Sequence, residues 1–147
     1  MVLGDARRRM NDVLARPRKT MVVGTSREAQ TLACRLAEDF DVTFVSDQEE
    51  LLTGDRTADF DTEYAALDDG SDLSMLDLSV DAAVVAAGRD RINMLAAQHI
   101  RTRCDVDRLV VRVNDPSRES AFAALDAETI CPTDVLEPAI RSSLDDS

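Results

Sequence analysis

Thr20-Met21-Val22-Val23-Gly24-Thr25-Ser26-Arg27-Glu28-Ala29 is the stretch that decides the fold. Its first four residues form a short apolar run that reads as a buried strand. Glycine follows at once. From residue 27 onward Ala29, Leu32, Ala33, Leu36 and Ala37 recur at helical spacing. A strand, a glycine turn and a helix in direct succession open a strand-helix-strand unit.

The same alternation continues to the end of the chain. Residues 42–46 are β-branched and aromatic and predict a second strand. Further strands are predicted near 62–67, 80–87, 108–113 and 128–131, after a first one near 20–24. Helices are predicted over 27–39, 89–103, 116–125 and from Pro132 onward, with shorter ones over 48–53 and 72–78. Most strands are continuous apolar runs, as expected where both faces of a parallel sheet are covered. The pattern predicts a Rossmann-like, doubly wound α/β fold: a six-stranded parallel sheet with helices on both faces. Ligands of such folds sit beyond the carboxyl ends of the strands, at the switch point. That rule gathers Gly24, Ser46, Asp47, the turn at 68–70 and the Ala87-Gly88 turn around one crevice.

The first turn matches the dinucleotide fingerprint Gly-x-Gly-x-x-Gly/Ala at two of its three places. Gly24 and Ala29 occupy its first and third places, and Ser26 stands at the second. The acid expected on a ribose falls at the end of the second strand. Ser46 holds that place and Asp47 follows one residue late.

Composition narrows the function classes. The 147 residues allow one real core and make two full-sized domains unnecessary. No apolar run is long enough to span a membrane. Residues 1–10 lack the order of a secretory signal, because Arg7, Arg8 and Arg9 follow the first apolar residues. Cys34, Cys104 and Cys131 are scattered and odd in number, which points to a reducing, cytoplasmic setting rather than a disulfide framework. Asp and Glu total 29 against 17 Lys and Arg, and lysine occurs once, at Lys19. Such a surface resembles the cytoplasmic proteins of extreme halophiles; compositional drift in a high-GC genome gives the same Lys-to-Arg bias. The acidic body argues against sequence-independent binding to nucleic acid or anionic lipid.

The charge is uneven. Residues 1–20 carry a net +4, which leaves the rest at −16. Leu3, Ala6, Met10 and Val13 or Leu14 recur at helical spacing before Pro17. Residues 1–19 therefore read as a basic amphipathic arm, either docked on the acidic body or serving a membrane protein or anionic surface. Residues 20–147 form the single domain.

Beyond the first turn, four more segments complete a resemblance. Asp68-Asp69-Gly70-Ser71, with Leu76 beyond, is similar to a Gly-Asp-Ala-Thr motif followed by Leu. The strand at 80–87 runs into Gly88-Arg89-Asp90-Arg91-Ile92-Asn93, similar to a strand, a short acidic turn and a characteristic Asn. Residues 109–116 and 125–132 resemble the fifth strand and the closing Gly-Ala-Asp-x-Val-x-x-Pro, with Asp126 where Gly is usual. From about Lys19 to Leu144 the chain resembles the nucleotide-binding N-terminal lobe of RCK domains, also called TrkA-N or KTN, which regulate potassium channels and transporters. The resemblance implies an adenine nucleotide ligand (NAD, NADH, ATP or ADP) held by Gly24, Thr25, Ser26, Arg27, Ser46, Asp47, Asp69, Gly70, Ala87, Gly88 and Asn93. Arg27 matches the Arg of the family's glycine-rich turn, where phosphate contact is implied. Ser26, Ser46 and Asp68 depart from the family pattern, and the usual C-terminal lobe is not expected. The partner implied is a membrane channel or transporter subunit. Pairing into a homodimer or higher oligomer is implied through later helices, here with Val135, Leu136, Ala139 and Ile140. Pro138 is expected to bend the last helix or restrict it to its first turn.

No nucleophile, metal-ligand or acid–base constellation accompanies these motifs. His99, the single histidine, and Cys34 read as packed helix residues. The expectation is a non-enzymatic regulatory domain that senses a nucleotide and biases a partner by population shift. The alternatives are a scaffold acting through protein contacts alone, or an NAD(P)-dependent oxidoreductase.

Overall fold

The structure, a computed structural model, describes residues 18–68 and 79–146. The arm over 1–17, the helix over 72–78, Leu76, Asp69 and Gly70 lie outside the described residues. Six strands form one sheet: β1 (Lys19–Val23), β2 (Asp41–Ser46), β3 (Asp61–Tyr64), β4 (Ala82–Val85), β5 (Arg108–Arg112) and β6 (Glu128–Ile130). Their order is β3-β2-β1-β4-β5-β6, and every pairing is parallel. The order turns back on itself between β1 and β4, which sets the switch point of a doubly wound sheet there.

Alternation along β1 explains the two layers. Val22 points with Phe44 and Val42 toward α1 (Arg27–Leu36), where Ala29 and Ala33 close the packing and Phe60 meets the Phe44 ring edge-on. Met21 and Val23 point to the other face. There Val45, Ala83, Val85, Leu109 and Val111 pack under Ala96, Ala97 and Ile100 of α2 (Asp90–Arg103) and under Phe122. Helices therefore cover both faces, as the continuous apolar runs predict.

Three local differences from the sequence expectations have physical causes. The strands near 62–67 and 80–87 are shorter than their apolar runs. Ala65 and Ala86 each donate one last bond to the neighbouring strand, to Ser46 O and Val23 O, and Leu67, Val80 and Ala87 are buried beyond the strand ends. Residues 116–125 form a 3-10 helix, not an α-helix; Asp115 caps it and Phe122 is its one buried residue, so no broad apolar stripe selects the wider turn. Pro138 does not stop α3 (Pro132–Asp145), which continues seven residues past it. The helix there is exposed, so water can satisfy the carbonyl that loses its partner.

Asp126 ends the 3-10 helix at φ 51° and ψ 47°, the left-handed region. That is the position where the family pattern carries Gly, and the conformation explains why. Arg101 holds the turn through backbone oxygens, donating to Leu125 O at 2.9 Å and Asp126 O at 2.7 Å. Asp126→Gly keeps those acceptors and relieves the Cβ strain. It is expected to stabilise the fold by about 0.5–1 kcal/mol, after the looser unfolded chain is allowed for. Urea denaturation reads this as a higher midpoint; a lower midpoint contradicts the strain argument.

Candidate functional site

The crevice forms where β1, β2 and β4 end. Its volume is about 460 Å³, and Thr25, Asp47, Gln48, Gly88, Arg89 and Ile92 line it. That size falls within the ordinary range of small-molecule sites. Three elements supply the walls: the β1–α1 turn, the end of β2 and the β4–α2 turn.

The β1–α1 turn is built around Gly24. Its amide donates to Val45 O at 3.0 Å, tying the turn to β2. A Cβ on Gly24 would stand 2.1 Å from Ala29 Cβ, so glycine is needed here for space. Ser26 is the N-cap of α1: its Oγ accepts from Ala29 N at 3.2 Å. The serine at the fingerprint's second place thus serves the helix by satisfying one of its open amides. Thr25 reaches the crevice directly. Arg27, exposed at the start of α1, lies outside the lining residues; its Nη1 donates to Gln30 Oε1 at 3.5 Å.

At the end of β2 the two candidate residues divide. Ser46 is fully buried, and its Oγ accepts from Gln48 N at 3.1 Å, which shapes the turn. Asp47 lines the crevice, with Gln48 Nε2 donating to its Oδ1 at 3.0 Å. The carboxylate facing the site is therefore the one that follows the strand.

Behind the β4–α2 turn sits a buried polar clamp. Asn93 is fully buried. Its Oδ1 accepts from Ala87 N at 2.9 Å, and its Nδ2 donates to Ala87 O at 2.8 Å and Arg112 O at 2.9 Å. Asp90 accepts from Asn114 N at 2.7 Å and Asp115 N at 3.0 Å. Together they lock the ends of β4 and β5 against the first turn of α2. Ala87 is buried in this clamp; Gly88 is exposed on the crevice, with open space where its Cβ would be. The structure thus brings Thr25, Asp47 and Gly88 to the crevice wall and places Gly24, Ser26, Ser46, Ala87 and Asn93 behind it as its frame.

Gln48, Arg89 and Ile92 also line the site, although the sequence does not single them out as ligand-binding residues. Each is within four residues of a residue that the sequence does single out, so extending each strand end by a few positions finds them. Arg89 is an exposed cation opposite Asp47, which gives the crevice one charge of each sign.

Two groups have displaced proton affinities, Asp115 just past β5 and Cys104 at the far end of α2 from the crevice. Asp115 is held below the usual carboxylate range, first by the Ser117 hydroxyl and then by the Ser117 amide. Its contribution to stability is present above the ordinary aspartate range and fades as pH falls through its lowered pKa. Partial burial raises the Cys104 thiol, which disfavours its thiolate. Among the described residues no group of His, Cys, Asp and Glu is placed to hold a metal ion, and no helix is long and apolar enough to cross a membrane.

The strand order, the glycine turn and the crevice at the switch point define a nucleotide-binding domain of the Rossmann type. Within that class the chain belongs to the TrkA-N domain family, whose model matches residues 20–132. Among solved structures it is similar to the NAD(P)-binding domain of an exopolyphosphatase-related protein from Archaeoglobus fulgidus. The two are 24% identical with a TM-score of 0.72, covering 88% of this chain and 99% of that one. That likeness shows the shared fold. No curated protein matches the chain.

Proposed function

We propose that this chain is a regulatory domain that senses an adenine nucleotide and passes that state to a membrane potassium channel or transporter, or another solute carrier, from the cytoplasmic side. The observation that carries the reading is the crevice at the switch point, with Asp47 on one wall and Arg89 on the other. A carboxylate there suits a ribose diol, and the open end of α1 suits phosphate. NAD, NADH, ATP and ADP all combine those two groups. Membership of the TrkA-N family supports the regulatory role and a homodimer or higher oligomer as the working form. The Archaeoglobus fulgidus neighbour, a domain of an exopolyphosphatase-related protein, supports a second reading, in which the domain regulates a hydrolase of phosphoanhydride bonds. In both readings it binds and signals without catalysing a reaction.

Thermal shift with each nucleotide tests ligand binding. A ligand at a hundred times its Kd stabilises by about 2.7 kcal/mol, and a scaffold acting through contacts alone shows no shift with any of them. Arg27 gives a sharper test. Its guanidinium is exposed at the helix end and free to swing from Gln30 toward a bound phosphate. Arg27→Ala is expected to weaken ATP binding by about 1.5–3 kcal/mol, roughly ten- to a hundredfold, with a smaller loss for adenosine. Calorimetry showing equal losses for both ligands removes Arg27 from the site.

The acidic surface extends the proposal to a high-salt cytoplasm. Self-repulsion of the body is screened by salt, so the melting temperature is expected to rise from low to molar potassium chloride. A flat profile contradicts it.

A further inference from the structure

We propose that Glu28, through its ion pair with Arg112, sets the specificity of the crevice by disfavouring nucleotides that end in a free phosphate. The proposal rests on the nucleotide reading and deepens it. Alternation along β5 creates the arrangement. Val110 pairs with Val84, which packs toward α1, so Arg112, two residues on, shares that face. Its guanidinium reaches the first turn of α1, where Nη1 donates to Glu28 Oε1. The pair thus spans from β5 to α1 across the intervening β4. Arg112 Nε donates to Asn114 Oδ1 at 2.7 Å. Asn114 is itself held, donating through Nδ2 to Ala87 O at 3.1 Å and to Asp90 Oδ1 at 3.2 Å. The cation is therefore anchored, and its side chain is only 27% exposed.

The pair stands at the phosphate end of the crevice. Ser26 takes up the amides of Ala29, at 3.2 Å, and Gln30, at 3.1 Å, which leaves those of Arg27 and Glu28 as the open donors of α1. A nucleotide with its ribose at Asp47 runs its phosphates past that helix end toward β4 and β5. A terminal phosphate carries a second negative charge that the diester phosphates of NAD and NADH lack. That charge meets the Glu28 carboxylate, and Arg112, the anchored cation beside it, is already neutralised. A diester needs less counter-charge and tolerates the pair. The turn itself does not demand Glu28: the dinucleotide fingerprint leaves both places between Ser26 and Ala29 unspecified. An acid in a first turn also steadies its own helix, but that role needs no partner on a distant strand.

Calorimetry on the full chain with NADH, ADP and ATP at one salt concentration tests the proposal. Glu28→Gln removes the carboxylate and leaves Arg112 aimed by Asn114. The Glu28 side chain is mostly exposed, so the variant is expected to fold, and its melting temperature checks that. The expected result is ADP and ATP binding about tenfold tighter than in the wild type, the scale of one charge interaction at a part-exposed site, with NADH changed less than about twofold. Adding Arg112→Gln to Glu28→Gln is expected to return ATP affinity to within about threefold of the wild type, because the freed cation supplies the gain. An unchanged ratio of ATP to NADH affinity in Glu28→Gln overturns the proposal and leaves nucleotide binding standing. So does a uniform loss of affinity with a lower melting temperature, which makes the pair a structural tie between α1 and β5. Absence of binding by every nucleotide to wild type and variant alike removes the nucleotide reading and the proposal with it.

Discussion

Gly24→Ala is expected to destabilise the domain by about 3 kcal/mol or more, the upper end of overpacking effects. The new Cβ would lie 2.1 Å from Ala29 Cβ, and neither atom can move alone. One belongs to the turn that bonds Val45 O, the other to the first turn of α1, which packs on Val22 and Phe44. Relief requires α1 to shift off the sheet. Adding Ala29→Gly removes the colliding atom and is expected to restore most of the loss, less about 1 kcal/mol for glycine in a helix. Gly88→Ala is the matched control, since open space surrounds that position, and its stability should stay within about 0.5 kcal/mol. Denaturant midpoints measure all three. A Gly24→Ala loss below about 1 kcal/mol contradicts the close approach.

Asn93→Ala is expected to cost about 3 kcal/mol, lowering the melting temperature by roughly 6–12 °C for a chain of this size. The substitution strands Ala87 N and Arg112 O, which Asn93 serves at 2.9 Å each, in a site closed to water. Ala87 O retains a second donor, Asn114 Nδ2 at 3.1 Å, and softens the loss. The end of β4 should loosen with the clamp, so nucleotide affinity is expected to fall along with stability. Asn93→Asp keeps the acceptor for Ala87 N but loses both donated bonds and buries a charge, so it should not rescue. Thermal melts compare the two variants; an Asn93→Ala shift under about 2 °C shows that the clamp carries little.

The strands were legible because an apolar run marks burial, and all six predicted segments overlap a strand of the sheet. Their ends were not, because burial and hydrogen bonding part company: Leu67 and Val80 belong to the core but not to the ladder. The 3-10 character of 116–125 was invisible because its spacing carries few core contacts, Phe122 buried and Leu125 packed at the edge. Gly24 could be read from the sequence, since the fingerprint encodes the close helix approach that the structure shows. Asn93 could be singled out, but its role could not. That role depends on Arg112, 19 residues away, and on Asp90 meeting Asn114, 24 residues away. Ser46 and Asp47 show the limit at one-residue resolution: adjacent in the chain, one turns inward to cap Gln48 and the other faces the crevice.

The central claim is that an adenine nucleotide occupies the crevice between the ends of β1, β2 and β4. Amide chemical-shift mapping of the full chain, titrated with ADP and then NADH, tests it most directly. The account predicts that Thr25, Asp47, Gln48, Gly88 and Arg89 shift together and saturate with one affinity, while β6 and the body of α3 stay still. Saturation with shifts confined to another surface, or no shift with either nucleotide at millimolar concentration, would contradict it.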